Sequence, residues 1–189
     1  MTWLVVCAVC VGVTGFARTA SAQDVAKVEV SGGWNYQAIK SNDDENWEHF
    51  PKGWYADVAF AVTNMWSAVG QVTGNFKTIT DSGGALDIDT NSFLFGIRAS
   101  ARGNPKATPF AQALFGATKL KVSQGSFNVS ENMFTYQVGG GVNVTASENV
   151  QARVSADYVR IMPGDASEIA DEAFQGIRLA VGVTFGFGK

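Results

Sequence analysis

Residues 176–189 read Gly-Ile-Arg-Leu-Ala-Val-Gly-Val-Thr-Phe-Gly-Phe-Gly-Lys. Every second residue is apolar: Ile177, Leu179, Val181, Val183, Phe185 and Phe187. Between them stand Arg178, Ala180, Gly182, Thr184 and Gly186. A period of two is the signature of a β-strand, whose successive side chains leave opposite faces. An unbroken apolar face backed by a guanidinium needs two different environments on the two sides of one strand.

Working back toward the N-terminus, the same alternation recurs in seven further runs. Their apolar faces run Val28–Tyr36, Trp54–Val62, Trp66–Phe76, Phe93–Ala101, Pro109–Ala117, Phe134–Val144 and Val150–Tyr158. No long segment shows a 3.6-residue apolar stripe. Each run is about ten residues, the length a tilted strand needs to cross a bilayer. Short connections (Asn64–Met65, Gly103–Ala107, Ser147–Asn149) alternate with long polar ones (Ala38–Gly53, Thr78–Thr90, Lys119–Met133, Met162–Ala173). Tight periplasmic turns and long outer loops alternate in this way in outer-membrane barrels, and an even strand number returns both termini to the periplasmic side. The expected fold is all-β, an eight-stranded antiparallel up-and-down transmembrane β-barrel.

Soluble barrels alternate too, so the contents of each face decide between them. At the chain's 16% charge frequency, roughly seven charged residues are expected over about 44 apolar-face positions. None occurs there. The opposite face carries Glu29, Asp57, Arg98, Arg102, Arg153, Asp157 and Arg178 among small and polar residues. Amphipathic rings favour the membrane interface, and the aromatics fall near strand ends. Trp34, Tyr36, Trp54, Phe76, Phe93, Phe95, Phe134, Tyr136 and Tyr158 form one expected belt at the long-loop end; Trp66, Phe185 and Phe187 form the other. The apolar face therefore meets lipid. Asp57, Arg98, Arg153, Asp157 and Arg178 are left to fill the lumen as a charge network.

Leu4–Ala17 is an apolar run too short to span a bilayer as a helix, followed by the small-x-small site Ala20-Ser21-Ala22. This predicts a signal peptide over 1–22, cleavage before Gln23, and a barrel domain over 23–189. Cys7 and Cys10 both lie in the leader, so the mature barrel has no disulfide to rely on. A chain of 189 residues fits one domain. Its net charge of −3 argues against a nucleic-acid partner. A mean hydropathy of +0.04 excludes a multi-helix membrane protein but not a barrel.

The export signal, the eight alternating runs and the closing strand together resemble small outer-membrane β-barrel proteins, the group like outer-membrane proteins A and X. The resemblance implies an outer-membrane location, contact with outer-membrane lipid and lipopolysaccharide, and insertion by the barrel-assembly machinery through the last strand. In that family the last strand ends in an aromatic; here Phe185 and Phe187 keep the alternation but Gly188-Lys189 follow.

Little else points to chemistry. His49 is the single histidine, within Asn46-Trp-Glu-His-Phe-Pro51, and no Ser pairing or second His completes a catalytic or metal constellation. A solvated loop histidine is expected. The acidic groups Asp43-Asp44-Glu45 and Asp81, Asp87, Asp89 lack the spacing of a Ca²⁺ loop. Val138-Gly-Gly-Gly141 is not followed by a helix start, so small residues for close packing are the expected role. The expectation is a monomeric non-enzyme with no cofactor or metal, structural or adhesion-like, meeting an extracellular ligand through its long loops. The alternatives are a small passive channel and a lipid A-modifying barrel enzyme.

Overall fold

The computed structural model describes residues 26–41, 46–81, 84–124, 127–163 and 173–188, with side chains assigned outside 79–86 and 124–129. The expected leader, 1–22, lies outside the described residues. Eight strands follow one another: β1 Val28–Ser41, β2 Glu48–Ala61, β3 Trp66–Asp81, β4 Gly84–Ser100, β5 Ala107–Gln124, β6 Phe127–Ser147, β7 Val150–Met162 and β8 Phe174–Phe187. Each pairs antiparallel with its neighbour in sequence, and β1 pairs with β8 to close the barrel. Closure removes both sheet edges, so every strand satisfies its backbone groups against another strand, as lipid requires.

The phase read from the sequence is the phase of the wall. Ile177, Leu179, Val181, Val183, Phe185 and Phe187 are exposed on the outside, while Arg178, Ala180 and Thr184 are buried inside. The same division holds on β7, where Val154 and Tyr158 are exposed and Arg153, Ser155 and Asp157 are buried. Inside, Ala59, Val69, Leu94 and Leu114 form a small apolar cluster on the β2–β5 wall.

The long loops are corrected. β3 continues to Asp81 and β4 starts at Gly84, so the segment expected as a loop over 78–90 is a paired hairpin. Likewise β5 and β6 pair out to Gln124 and Phe127, and β1 and β2 advance to Ser41 and Glu48. The reason is a change of solvent along the strand. Beyond the bilayer Asp87, Asp89, Asn91, Lys119, Lys121 and Asn132 take the outward positions, and Ile88, Leu120 and Met133 turn inward. The pairing is continuous but the polarity of its two faces inverts. The inversion hides a strand from a search for one constant phase. On β1–β2 the register also shifts between Asn35 and Gln37, which turns Phe50 inward across from Gln37.

Two other expectations change. His49 is on β2 rather than in a loop; its Nδ1 meets the Tyr36 hydroxyl at 2.5 Å and the two rings stack. Phe95 is not at the rim: it lies between Asn91 and Ala99, with its ring 4.2 Å from that of Phe115. Asp43, Asp44 and Glu45 lie outside the described residues.

Candidate functional site

The lumen is layered from the short-turn end upward. At the bottom, Arg102 donates from Nη2 to Glu29 at 2.8 Å and from Nη1 to the Asn64 carbonyl at 2.9 Å. This ties the β4 end to β1 and to the first turn.

Above it lie the charges that the strand phase directs inward. Arg153 donates from Nη1 to Asp57 Oδ2 at 2.8 Å, and Arg98 Nη2 stands 3.2 Å from the same oxygen. Arg178 donates to Asp157 Oδ2 at 2.8 Å. Counting residues from the turns sets Asp157 and Arg178 at one depth, and they are directly paired across β7 and β8. All five side chains are essentially buried.

Gln112 on β5 joins the two groups. Its Oε1 accepts from Arg98 Nε and Nη2 at 3.1 and 2.9 Å, and its Nε2 donates to Asp157 Oδ1 at 3.0 Å. The sequence offered no reason to single out one amide among several inward ones. Asn143 accepts from Arg153 Nε at 2.8 Å, and the Phe110 ring lies 4.9 Å from the guanidinium carbons of both Arg98 and Arg153. Arg178 sits over the Tyr55 ring at 5.6 Å. A buried charge left alone is expensive, whereas a paired one is tolerated. Each of these carboxylates and guanidiniums has an ion-pair partner, while Asp57 Oδ1, Arg98 Nη1, Arg153 Nη2 and Arg178 Nε and Nη1 make no hydrogen bond among the described residues. Charges from β2, β4, β7 and β8, bridged through β5, therefore cross the lumen as a single connected layer.

The barrel is narrow at this layer. A Cβ added at Gly182 would stand 2.5 Å from the Tyr55 hydroxyl, and one at Gly139 would stand 2.5 Å from Asp157 Oδ1. Glycine at these positions leaves the space that the network occupies. Eight strands enclose an interior that side chains alone can fill.

Hydroxyls and amides form the next layer. Thr118 Oγ1 accepts from Thr135 at 2.7 Å and lies 2.8 Å from Ser92 Oγ, and Asn75 donates to Gln37 at 2.9 Å. Above this layer opens an apolar cavity of about 330 Å³, walled by Phe50, Ile88, Leu120, Met133, Ile161 and Phe174. These residues fall in segments expected as loops or at their boundaries. The available signal was isolated apolar residues spaced by two within polar stretches, such as Leu120 and Val122.

Of the rim aromatics, Trp34 and Trp54 pair across β1 and β2, and Tyr136 and Tyr158 rings stand 6.4 Å apart. Trp34, Trp54, Phe93 and Tyr158 are exposed on the outer face; Trp66, Phe185 and Phe187 are exposed at the short-turn end. Tyr36 and Tyr136 are half-buried. Among the described residues no group of three His, Cys, Asp or Glu side chains is placed to hold a metal.

A family model for the outer membrane protein beta-barrel domain matches residues 6–187. Among solved structures, Neisserial surface protein A is similar at 14% identity and a TM-score of 0.69, over 87% of this chain and 100% of that one. The attachment invasion locus protein Ail of Yersinia pestis is similar at 17% identity and a TM-score of 0.58, over 85% of this chain and 99% of that one. OprG from Pseudomonas aeruginosa is similar at 9% identity and a TM-score of 0.54, over 87% and 98% of the two chains. No match is found among curated proteins.

Proposed function

This chain belongs to the outer membrane protein beta-barrel domain family, is a small barrel of the outer membrane, and on that premise we propose that it is a closed, non-enzymatic barrel whose work is structural and adhesive, done by its extracellular hairpins. The charge layer carries this reading: Asp57, Arg98, Gln112, Asp157 and Arg178 connect across the lumen, which eight strands leave only wide enough for side chains to fill. The hairpins supply the second part. β3 to β6 are 16, 17, 18 and 21 residues long, against the roughly 10 residues that cross a bilayer. Their outer ends extend past that length as paired strands.

The leader is removed after Ala22, the last strand is offered to the barrel-assembly machinery, and the folded protein is a monomer bathed in outer-membrane lipid and lipopolysaccharide. The aromatic rims hold it at both interfaces. The similarity to Ail, one of whose structures is a complex with the heparin analogue sucrose octasulfate, supports an extracellular ligand as the class of partner. Lipid A chemistry is disfavoured because the group on His49 Nδ1 is the Tyr36 hydroxyl and not a carboxylate, so a Ser–His–carboxylate arrangement is not formed among the described residues.

Two measurements test this. In planar bilayers the refolded barrel conducts no large solutes; a steady open pore overturns the plug. Cells displaying the intact barrel adhere to matrix-coated surfaces, and deleting 78–87, which shortens the β3–β4 hairpin, removes that adhesion while the barrel stays heat-modifiable on gels. Equal adhesion by both overturns the hairpin role.

A further inference from the structure

The outward face of the barrel changes from apolar to cationic in one cross-strand row on β7, β8 and β1. On β8 the exposed series Phe187, Phe185, Val183, Val181, Leu179 and Ile177 gives way to Gln175. The register sets Gln175 opposite Lys40 of β1 on one side and opposite Arg160 of β7 on the other. Each is the first charged or amide side chain on the outward face, beyond Trp34 and Tyr36 on β1 and beyond Val154 and Tyr158 on β7. The only carboxylates on these three strands, Glu29 and Asp157, are buried. Among the described residues neither Lys40 nor Arg160 has an ion-pair partner. Lys40 stands 5.6 Å from the Trp47 ring, a contact that leaves its charge in place. The amide between the two cations is oriented: the Tyr158 hydroxyl donates to Gln175 Oε1 at 3.2 Å, which leaves Nε2 as the donor. The far wall differs. There Lys121 of β5 stands opposite Asp89 of β4, and Asp87 accepts from Thr78 at 2.8 Å, so the two signs are mixed.

We propose that Lys40, Gln175 and Arg160 bind a phosphomonoester of the outer-leaflet glycolipid, the lipid A part of lipopolysaccharide, whose acyl chains lie along the outer face of β8. Neighbouring strands are about 4.8 Å apart, so Lys40 and Arg160 emerge roughly 10 Å from one another, a gap that two long side chains close on one phosphate. A guanidinium grips phosphate through two parallel hydrogen bonds, and an ammonium meets it as a point charge. A phosphomonoester carries about −1.5 to −2 at neutral pH, which two cations balance; a phospholipid phosphodiester carries a single charge and leaves one cation unmatched. The long hairpins mark this end of the barrel as the one at the outer leaflet. The site rests on that outer-membrane orientation and not on what the hairpins adhere to.

The test titrates the whole refolded barrel in maltoside micelles with lipid A, counting bound lipid by native mass spectrometry and following the Gln175 side-chain amide by NMR. One lipid A is expected to bind, with a saturable shift of that amide. Lipid A stripped of its phosphates, and phosphatidylglycerol, are expected to bind at least tenfold more weakly. Lys40→Gln and Arg160→Gln each weaken lipid A binding about tenfold, the size of one charge-assisted contact, and Arg160→Lys weakens it less. Gln175→Glu, which sets a carboxylate between the cations, weakens it more than either. Lys121→Gln removes the same charge on β5, away from the row, and changes nothing. A heat-modifiable barrel that binds no lipid A, or binds the dephosphorylated form equally, overturns the site alone; a chain that is not heat-modifiable overturns the barrel reading beneath it. Equal weakening by Lys121→Gln and Lys40→Gln shows a general surface field and overturns the row. Equal binding of phosphatidylglycerol or phosphatidic acid overturns the glycolipid as occupant. Loss of binding in EDTA assigns the contact to a bridging divalent cation and overturns direct recognition by Lys40 and Arg160.

Discussion

The membrane half and the extracellular half of the barrel are made of the same strands with opposite patterns. Along β5, Ala111, Ala113, Phe115 and Ala117 face out and Gln112 faces in; a few residues later Lys119 and Lys121 face out and Leu120 and Val122 face in. The backbone does not change between them, since β4 and β5 keep one continuous register from Ser100 to Leu86. What changes is the surrounding solvent. In lipid the apolar side must face out and the charges retreat inward. In water the usual rule returns, with polar residues outside and an apolar interior. The barrel is inside-out below and ordinary above.

The largest expected effect breaks the lower half at its network. Arg178→Leu leaves Asp157 buried without its ion-pair partner, and the loss is expected at about 3–5 kcal/mol, measured by urea unfolding in lipid vesicles. Adding Asp157→Asn removes the stranded charge while keeping an acceptor for Gln112, so most of the loss is expected back. A double variant as unstable as the single one shows that Arg178 acts by packing against Tyr55 and not by neutralising Asp157.

One substitution placed at two heights sharpens the comparison. Val154 is exposed on the outer face, paired with Val142 and Val181. Val154→Arg there is expected to cost about 2–4 kcal/mol, because a guanidinium enters the hydrocarbon. Ser130→Arg, also outward and exposed but on the projecting part of β6, is expected to change stability by less than ~0.5 kcal/mol. Equal costs at the two positions mean that lipid extends over the upper hairpins or is absent from the lower wall.

The same contrast explains what the sequence made legible. The lower half was readable because lipid imposes one rule on every strand: no charge appears on the outward face, and eight runs in one phase identify the barrel. Asp157 and Arg178 could be set at one depth by counting from tight turns, because antiparallel register propagates without loss. The upper half was not readable in the same way. There the alternation inverts, Gly, Ser and Asn interrupt it, and a shift near Asn35 moves Phe50 across the wall. A strand with polar residues outside and sparse apolar residues inside has the composition of a loop. Gln112 was invisible for another reason. Its importance lies in where two distant strands deliver Arg98 and Asp157, and nothing local distinguishes it from Gln137 or Gln151.

The smallest effect is expected where a charge pair sits in the upper half. Lys77 and Glu48 are bonded between β3 and β2, with side-chain exposures of 23% and 55%. The pair has the same chemistry as Arg153–Asp57, whose two side chains are each 1% exposed. Water around Glu48 screens the attraction and solvates either partner once the other is gone. Glu48→Gln is therefore expected to cost less than about 1 kcal/mol, whereas Asp57→Asn leaves Arg98 in the lumen without its ion-pair partner and Arg153 with only Glu29, 3.9 Å away. Salt separates the two cases further. In 1 M salt the screening length falls to about 3 Å, so the cost of Glu48→Gln is expected to vanish while that of Asp57→Asn persists, because ions do not enter the plug. Chemical unfolding of both variants at low and high salt is the measurement. A salt-sensitive Asp57→Asn means that water and ions reach the charge layer, and the lower lumen is then not closed.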